Sequence, residues 1–214
     1  MKTKLSLDKS NRVEIYYDKP SLAIRSLMAL DSLAVSMRSQ SVVVDPSCLP
    51  DLNVIKFQRN SPYRVIGAVD LACKNFGANK AIQLQNLIEA DGFDIGLTAK
   101  RNATELHNEI NGIQNFLKMA GKPFSIRWLI DVKHGRDHIT ECLKAIKSTK
   151  TKYEAICLVV RDLEKEVIEN LIDKCRKDLG LAKAPVKIFA NYNEELFNDK
   201  DLDLTYQFRA EDLV

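Results

Sequence analysis

The stretch Arg64–Thr98, RVIGAVDLACKNFGANKAIQLQNLIEADGFDIGLT, decides the fold class of this chain. It contains a short apolar run, a loop around Gly77, a segment whose apolar residues have helical spacing and, from Gly92, a second short apolar run. A strand, a helix and a strand within about 35 residues match the size of one βαβ unit. The stretch therefore predicts parallel strands that are joined by a crossover helix.

The same alternation continues on both sides of this stretch. Short β-rich runs alternate with segments of helical periodicity, and several of the runs are apolar on both faces, as buried parallel strands are. The predicted strands are Val13–Tyr17, Val42–Val44, Val65–Val69, Phe93–Leu97, Phe124–Val132, Ala155–Val160, Pro185–Ala190 and Leu204–Phe208. Residues 47–62 contain two prolines and predict an irregular connection with at most one short strand, at Val54–Phe57.

About eight strands in this alternation predict an α/β chain folded as a (β/α)8 barrel, the TIM-barrel fold. A doubly wound open parallel sheet is the alternative. The barrel is expected to be compact and to lack a full final helix, because 214 residues fall short of the ~250 usual for this fold and little sequence follows Phe208. Residues 1–214 are expected to form a single domain.

The composition is that of an ordinary soluble globular protein, with 45% hydrophobic and 29% charged residues. A formal net charge of +3 with interspersed acids and bases favours neither nucleic acid nor an anionic membrane as partner. No apolar run approaches the roughly 20 residues that cross a bilayer, and the N-terminus has no secretory apolar segment. Five scattered cysteines without a CxxC pair predict free thiols in the cytoplasm.

Motifs for cofactors and metals are weak in this sequence. It contains no GxGxxG, Walker A or GxSxG motif, so we expect no cofactor. His134 and His138 are four residues apart and share a face of a predicted helix, which is a spacing that can hold a metal ion. No third ligand is evident, so the preferred interpretation is an exposed helix start with Asp137 in its first turn, and no metal site is expected.

Four segments, in chain order, resemble the deoxyribose-phosphate aldolase family. VEIYYDKPS from Val13 echoes that family's opening strand, and SVVVDPSCLPDL (Ser41–Leu52) is similar to its Val/Cys-rich second strand. VIGAVDLACKNFGANKAIQLQNLIEADGFDIGL (Val65–Leu97) resembles its Val-Ile-Gly-Phe-Pro-Leu-Gly-Ala segment with the helix and acidic strand that follow. FSIRWLID (Phe124–Asp131) is similar to its fifth strand. The likeness covers most of the chain.

This resemblance implies a class I aldolase, a carbon–carbon lyase whose strand-6 lysine forms a Schiff base while a strand-7 lysine lowers its pKa and a strand-4 aspartate relays protons. By position, the aspartate corresponds to Asp94, the strand-5 lysine to Arg127 and the strand-7 lysine to Lys187. The Schiff-base lysine corresponds to Cys157, and a thiol cannot form an imine. The glycines that hold phosphate in the family are also missing after strands 7 and 8. The resemblance therefore implies fold and descent more than activity.

Polar residues follow the predicted strands at the end of the barrel where TIM-barrel chemistry takes place. Many of them are basic, which favours an anionic ligand such as a phosphorylated sugar. The candidate anion-binding residues are Lys74, Lys100, Arg101 and Arg161. The competing interpretation is that these side chains are solvated loop charges.

Two functional hypotheses follow, and the sequence leaves open whether the chain is an enzyme. In the first, it is a barrel that has lost class I catalysis and acts as a binding or structural subunit, as a homo-oligomer or within a larger assembly; Cys157 and the missing glycines favour it. In the second, it is an active lyase on a small phosphorylated sugar or aldehyde, with Asp94 as proton relay and Lys187 as amine. An ionisable side chain within an apolar strand is costly unless it is paired, so the surroundings of these two residues decide between the hypotheses.

Overall fold

Eight parallel strands close into a barrel in their order along the chain. The computed structural model describes residues 12–17, 22–70, 85–97, 102–119, 121, 125–149, 152–160, 165–178, 186–190 and 204–210. The strands are β1 Arg12–Tyr17, β2 Ser41–Val44, β3 Arg64–Asp70, β4 Gly92–Leu97, β5 Ser125–Asp131, β6 Ala155–Val160, β7 Val186–Ala190 and β8 Leu204–Arg209. All neighbours pair in parallel, and β8 pairs with β1, which closes the ring.

Helices connect the strands on the outside of the barrel. Within the described ranges they are α1 Ile24–Ser36, α2 Leu49–Arg59, α3 Ala103–Met119, α4 Gly135–Ser148 and α5 Lys165–Asp178. Short 3-10 turns at Pro46–Cys48 and Val132–His134 precede α2 and α4, and residues 85–87 are helical. Among these helices, none combines the length and the apolar character that crossing a membrane requires.

The predicted (β/α)8 barrel is confirmed, and the alternative of an open sheet is wrong because its two edge strands, β1 and β8, pair with each other. Each predicted strand is found to within one residue at either end. Residues 211–214, which bear on the expected lack of a final helix, lie outside the described residues.

The prediction for residues 47–62 is wrong, because the segment forms helix α2 rather than an irregular connection. Pro50 lies in the first turn, where a missing N–H costs no helical hydrogen bond. Asn60, in the left-handed region at φ 53°, ends the helix. Leu49, Leu52 and Ile55 face the core at helical spacing, so of the possible strand Val54–Phe57 only Ile55 belongs to the buried stripe. The prolines bracket the helix instead of interrupting it.

The main hydrophobic core lies between the outer face of the strands and the helices. Trp128, predicted as a core residue, is fully buried there. Gly67 on β3 shows how closely the layers approach: a Cβ at this position would overlap Leu87 and meet Leu49 Cδ1 at 3.1 Å. This core leaves the inner face of the barrel to a different set of side chains, several of which are charged.

Candidate functional site

The ion pair between Glu14 and Arg127 identifies the inner face of the barrel. Glu14 lies on β1 and Arg127 on β5, on opposite sides of the ring, and Arg127 Nη1 donates to Glu14 Oε1 at 2.5 Å. Such a contact can form only across the interior, so both side chains point inward. Because registered neighbours on parallel strands share a face, the pairing of the strands then assigns Asp94, Cys157, Lys187 and Phe189 to the interior as well.

Arg127 is the centre of a buried charged triad. Its Nε donates to Asp94 Oδ1 at 2.6 Å and its Nη2 to Asp94 Oδ2 at 2.8 Å, in addition to the bond to Glu14. Arg127 and Asp94 are each 2% exposed and Glu14 is 3% exposed. A planar guanidinium suits this two-oxygen contact, and an arginine does not give up its proton. Two carboxylates therefore share one permanent cation in the middle of the barrel.

The electrostatics of the triad follow from this imbalance of one cation against two acids. Burial raises the pKa of Asp94 to about 6, which outweighs the stabilisation of its charged form by Arg127. Burial alone would lower the pKa of Arg127, but Asp94 and Glu14 together raise it above its ordinary value. Arg127 thus stays charged, whereas Asp94 is the member of the pair that can take up a proton near neutral pH.

Two buried polar atoms near the triad have no hydrogen-bond partner among the described residues. They are Glu14 Oε2 and Gln207 Nε2, and the two residues are in register on the neighbouring strands β1 and β8. Phe189 covers Arg127 from another side, with the guanidinium carbon 5.1 Å from the ring centroid. One buried acceptor and one buried donor near the triad are therefore unpaired among the described residues.

Cys157, the counterpart of the Schiff-base lysine in the resemblance, is sealed. It is fully buried and packs with Ala155, Phe189 and Leu129 in a small apolar cluster inside the barrel. Burial raises the pKa of its thiol well above the ordinary value, so the thiol stays protonated. At this position the chain offers neither an amine nor a reactive thiolate.

Lys187 is in register with Cys157 but binds at the N-terminal end of the barrel. Its Nζ donates to Glu154 Oε1 at 3.1 Å, and Glu154 also binds Arg64 Nη1 at 3.2 Å and the hydroxyl of Ser125. Arg64 and Ser125 are the first residues of β3 and β5, and Glu154 directly precedes β6. We call these four side chains the N-terminal network. Chemistry in TIM barrels takes place at the opposite, C-terminal end.

Glu154 is the anchor of the N-terminal network. Its partial burial opposes ionisation, but the hydrogen bonds from Ser125 and Lys187 and the charges of Arg64 and Lys187 lower its pKa to about 2. Asp94 and Lys187 thus both face the interior, yet each is bonded to a different partner. The described contacts place them in two separate networks.

Toward the C-terminal end, five inward-facing side chains of the described residues are only partly buried, in contrast to Glu14, Asp94 and Arg127 below them. We call the interior lined by these five residues the C-terminal cup; they are Tyr16, Ala68, Leu129, Val159 and Gln207. At its rim Asp131 binds Lys133 Nζ at 2.8 Å, and the backbone N–H of Lys133 also donates to Asp131, at 3.0 Å.

The candidate anion-binding residues Lys74, Lys100, Arg101 and Arg161 lie outside the described residues, so their role stays a prediction. Sequence reasoning missed Glu14 and Glu154. Glu14 carried the same signal as Asp94, an acid within an apolar strand, because it interrupts VEIYY. Glu154 precedes its strand and carried no such signal.

The preferred interpretation of the HGRDH segment is partly wrong. Its helix start and the placement of Asp137 in the first turn are confirmed, but His138 is 3% exposed rather than on the surface. His138 Nε2 lies 2.9 Å from the carbonyl oxygen of Leu97 and 3.5 Å from Cys142 Sγ, so it joins α4 to the end of β4. In the described ranges no three His, Cys, Asp or Glu side chains are grouped to hold a metal ion.

Neither a family model nor a curated protein sequence matches this chain, but solved structures do. The tetrameric deoxyribose phosphate aldolase of Aeropyrum pernix superposes with a TM-score of 0.64 at 12% identity, over 91% of this chain and 84% of its own. The aldolase QR15 gives 0.62 at 12% identity, over 94% and 92%. The 2,3-dimethylmalate lyase, of the PEP mutase/isocitrate lyase superfamily, gives 0.58 at 12% identity, over 92% and 75%. The chain therefore has the barrel fold of aldolases and lyases, deoxyribose-phosphate aldolases among them.

Proposed function

We propose that this chain, acting as one domain over residues 1–214, is an aldolase-fold barrel that does not form imines and serves as a binding or structural subunit. The observation that carries the proposal is the environment of Cys157. It occupies the position of the Schiff-base lysine in the resemblance, and it is fully buried beneath Leu129 and Phe189. A class I mechanism needs an amine there that a carbonyl compound can reach.

The position of Lys187 supports the same conclusion. Of the described residues that face the barrel interior, it is the lysine that could replace the missing amine. Its ammonium group is bonded to Glu154 within the N-terminal network, at the end of the barrel opposite the cup. To attack a carbonyl in the cup, the amine would have to leave this ion pair, lose its proton and point the other way.

Arg127 also argues against the family's chemistry. It corresponds to a lysine in the resemblance, and a guanidinium cannot shuttle protons near neutral pH. It engages both oxygens of Asp94, the residue that would relay protons. The triad of Arg127, Asp94 and Glu14 thus serves to link strands across the interior, and it does not provide a path for protons to a substrate.

The second candidate function, an active lyase, has one observation in its favour. Asp94 has a pKa raised by burial to about 6, which is in the range useful for a general acid or base, and Lys187 shares the interior with it. This candidate requires a substrate to displace Arg127 from Asp94 and Glu154 from Lys187 together.

As a binding subunit, the chain would hold its ligand in the C-terminal cup. Its described walls combine the aliphatic side chains of Ala68, Leu129 and Val159 with the amide of Gln207. The basic residues Lys74, Lys100, Arg101 and Arg161 follow strands at the same end in the sequence. A small phosphorylated metabolite suits this arrangement, with its carbon skeleton in the cup and its phosphate among the loop cations.

The test is reductive trapping. The protein is incubated with acetaldehyde, glyceraldehyde or deoxyribose 5-phosphate, treated with borohydride and mapped by peptide mass spectrometry, next to a class I aldolase as positive control. We expect no adduct beyond the slow, non-saturating labelling that the urea-unfolded chain also shows. An adduct on Lys187 that saturates with aldehyde and disappears in Lys187→Met would overturn the proposal and establish the lyase. The matched control is Lys133→Met, at the rim of the cup, which should leave the pattern elsewhere unchanged.

A further inference from the structure

Two inward-facing side chains on neighbouring strands carry a buried acceptor and a buried donor that the protein itself does not pair. Glu14 Oε2 and Gln207 Nε2 have no hydrogen-bond partner among the described residues, and the two residues are in register on β1 and β8. The large majority of buried polar side-chain atoms in proteins have a partner. An acceptor beside a donor is satisfied by one group that donates to the first and accepts from the second.

The charges around Glu14 restrict what this group is. At neutral pH Glu14 and Asp94 carry two negative charges against the single positive charge of Arg127, and all three side chains are buried. An anion at Glu14 Oε2 would add a third negative charge in a region of low dielectric, where repulsion between like charges is strong. An anionic group is therefore disfavoured at this place.

The hydrogen-bonding needs of the pair restrict the group further. The carbonyl oxygen of an aldehyde or ketone only accepts, so it would leave Glu14 Oε2 without a donor, and an ammonium group cannot accept from Gln207. Neighbouring strands are about 4.8 Å apart, a span that two hydrogen bonds to a single oxygen atom can bridge. An uncharged hydroxyl group meets all of these conditions.

Gln207 connects this pair to the C-terminal cup. It is one of the five residues that line the cup and is only partly buried, whereas Glu14 is 3% exposed. A ligand in the cup therefore meets the Gln207 side chain first, and such partly exposed side chains change rotamer within nanoseconds. The aliphatic side chains of Ala68, Leu129 and Val159 line the same space and suit a hydrocarbon part of the ligand.

From these features we propose that Glu14 and Gln207 form a hydroxyl-binding pair, and that the part of the ligand that enters the barrel is an aliphatic alcohol and not a carbonyl compound. The ligand hydroxyl donates to Glu14 Oε2 and accepts from Gln207 Nε2. This inference rests on the proposed function as a binding subunit and adds the chemical class of the bound group. Imine chemistry, in contrast, requires a carbonyl group.

The test compares pentan-2-ol with pentan-2-one, which share a carbon skeleton but differ in whether the oxygen has a hydrogen to donate. Each probe is titrated at millimolar concentrations into protein with ¹³C-labelled methyl groups, and the signals of Ala68, Leu129 and Val159 report on the cup. We expect saturable shifts and a dissociation constant at least about tenfold lower for the alcohol, as for one hydrogen bond to a charged acceptor. Equal constants, tighter binding of the ketone, or no saturable shift with the alcohol would overturn the proposal.

Two substitutions within the pair give opposite expectations. In Glu14→Gln, the amide oxygen still accepts from Arg127 and the amide nitrogen replaces Oε2, so the pair consists of two donors. The preference should then reverse, and the ketone should bind more tightly than the alcohol. Gln207→Leu should weaken the binding of both probes by a similar factor, because both oxygens accept from Nε2. An alcohol preference that persists unchanged in Glu14→Gln would show that Glu14 does not bind the hydroxyl.

The matched control is Gln114→Leu. Gln114 is also a buried glutamine, 6% exposed, whose Nε2 has no partner among the described residues, but it is on helix α3 outside the barrel. The ratio of the two dissociation constants should stay as in the wild type, and a change as large as that in Glu14→Gln would overturn the proposal. Circular dichroism checks that each variant folds, and the wild-type comparison of the two probes is decisive without them. Borohydride trapping detects imines and this titration detects hydroxyl preference, so either proposal can fail without the other.

Discussion

Arg127 holds both carboxylate oxygens of Asp94, at 2.6 and 2.8 Å, at a level of the barrel where solvent does not reach. The same guanidinium binds Glu14 from the opposite side of the ring. Through Arg127, these contacts link β1, β4 and β5 across the interior of the barrel.

Replacing Arg127 with methionine should therefore destabilise the fold strongly. The change leaves Asp94 and Glu14 buried without their cation, and breaking a buried ion pair in this way costs about 3–5 kcal/mol. Urea unfolding measures the loss in the free energy of unfolding. Lys144→Met, which removes the exposed ion pair with Glu141, should cost under about 1 kcal/mol. Equal effects of the two changes would show that the triad is not a buried structural pair.

Glu154 should make the fold sensitive to acid. Its pKa is about 2 in the folded chain against an ordinary value of 4.5, so the unfolded chain binds its proton first as the pH falls. The stabilisation is complete above about pH 4.5 and is lost as the pH falls toward 2. Unfolding free energies of the wild type and Glu154→Gln should thus converge between pH 5 and 2. Parallel curves for the two proteins would contradict the role of Glu154 as an anchor.

The buried thiols should be inert in the folded chain. Cys48, Cys142, Cys157 and Cys175 are all buried, and burial raises the pKa of the Cys157 thiol well above its ordinary value. A maleimide reagent at pH 7.5 should modify these four residues only as fast as the chain opens, and at once in guanidinium. Peptide mass spectrometry assigns the sites. Rapid native labelling of Cys157 would mean that the C-terminal cup reaches the Schiff-base position after all.

Two glycines offer a matched test of how tightly the barrel packs. Gly67→Ala would place a methyl group into Leu87 and against Leu49, and such overpacking costs about 1–3 kcal/mol. Gly112→Ala, in α3, meets no atom within 4 Å and should stabilise the chain by about 0.5–1 kcal/mol through helix propensity. Thermal unfolding of both variants should show shifts of opposite sign. An unchanged melting temperature for Gly67→Ala would indicate that Leu87 and Leu49 can shift to accommodate the added methyl group.

The fold could be predicted from the sequence because its signal is periodic and repeated. Runs such as Ala155–Val160 are apolar on both faces, which is typical of parallel strands that are covered by helices. Eight such runs alternate with helical segments, and the strands close into the predicted barrel. Helix α2 was not predicted because the two prolines of residues 47–62 were taken as signs of irregular chain, whereas Pro50 lies in the first turn of the helix and Pro62 follows its end.

The site was harder to predict because it depends on contacts between residues far apart in the chain. Glu14 and Arg127 are 113 residues apart, and no local pattern joins them. Lys187 was noted as an ionisable residue within an apolar strand, but its partner, Glu154, is in a connecting segment. The partner determines whether an inward-facing side chain points to the N-terminal or the C-terminal end of the barrel. The alternation of residues along the strand does not reveal this partner.

The N-terminal network and the triad both lie on the N-terminal side of Leu129 and Val159 within the barrel. Those two side chains are partly open to solvent and take no part in either ionic brace. A designer can therefore install a new amine at position 129 or 159, within the cup, without dismantling the supports below it. For the same reason, substitutions at these two positions should leave the ion pairs of the triad and of the N-terminal network in place.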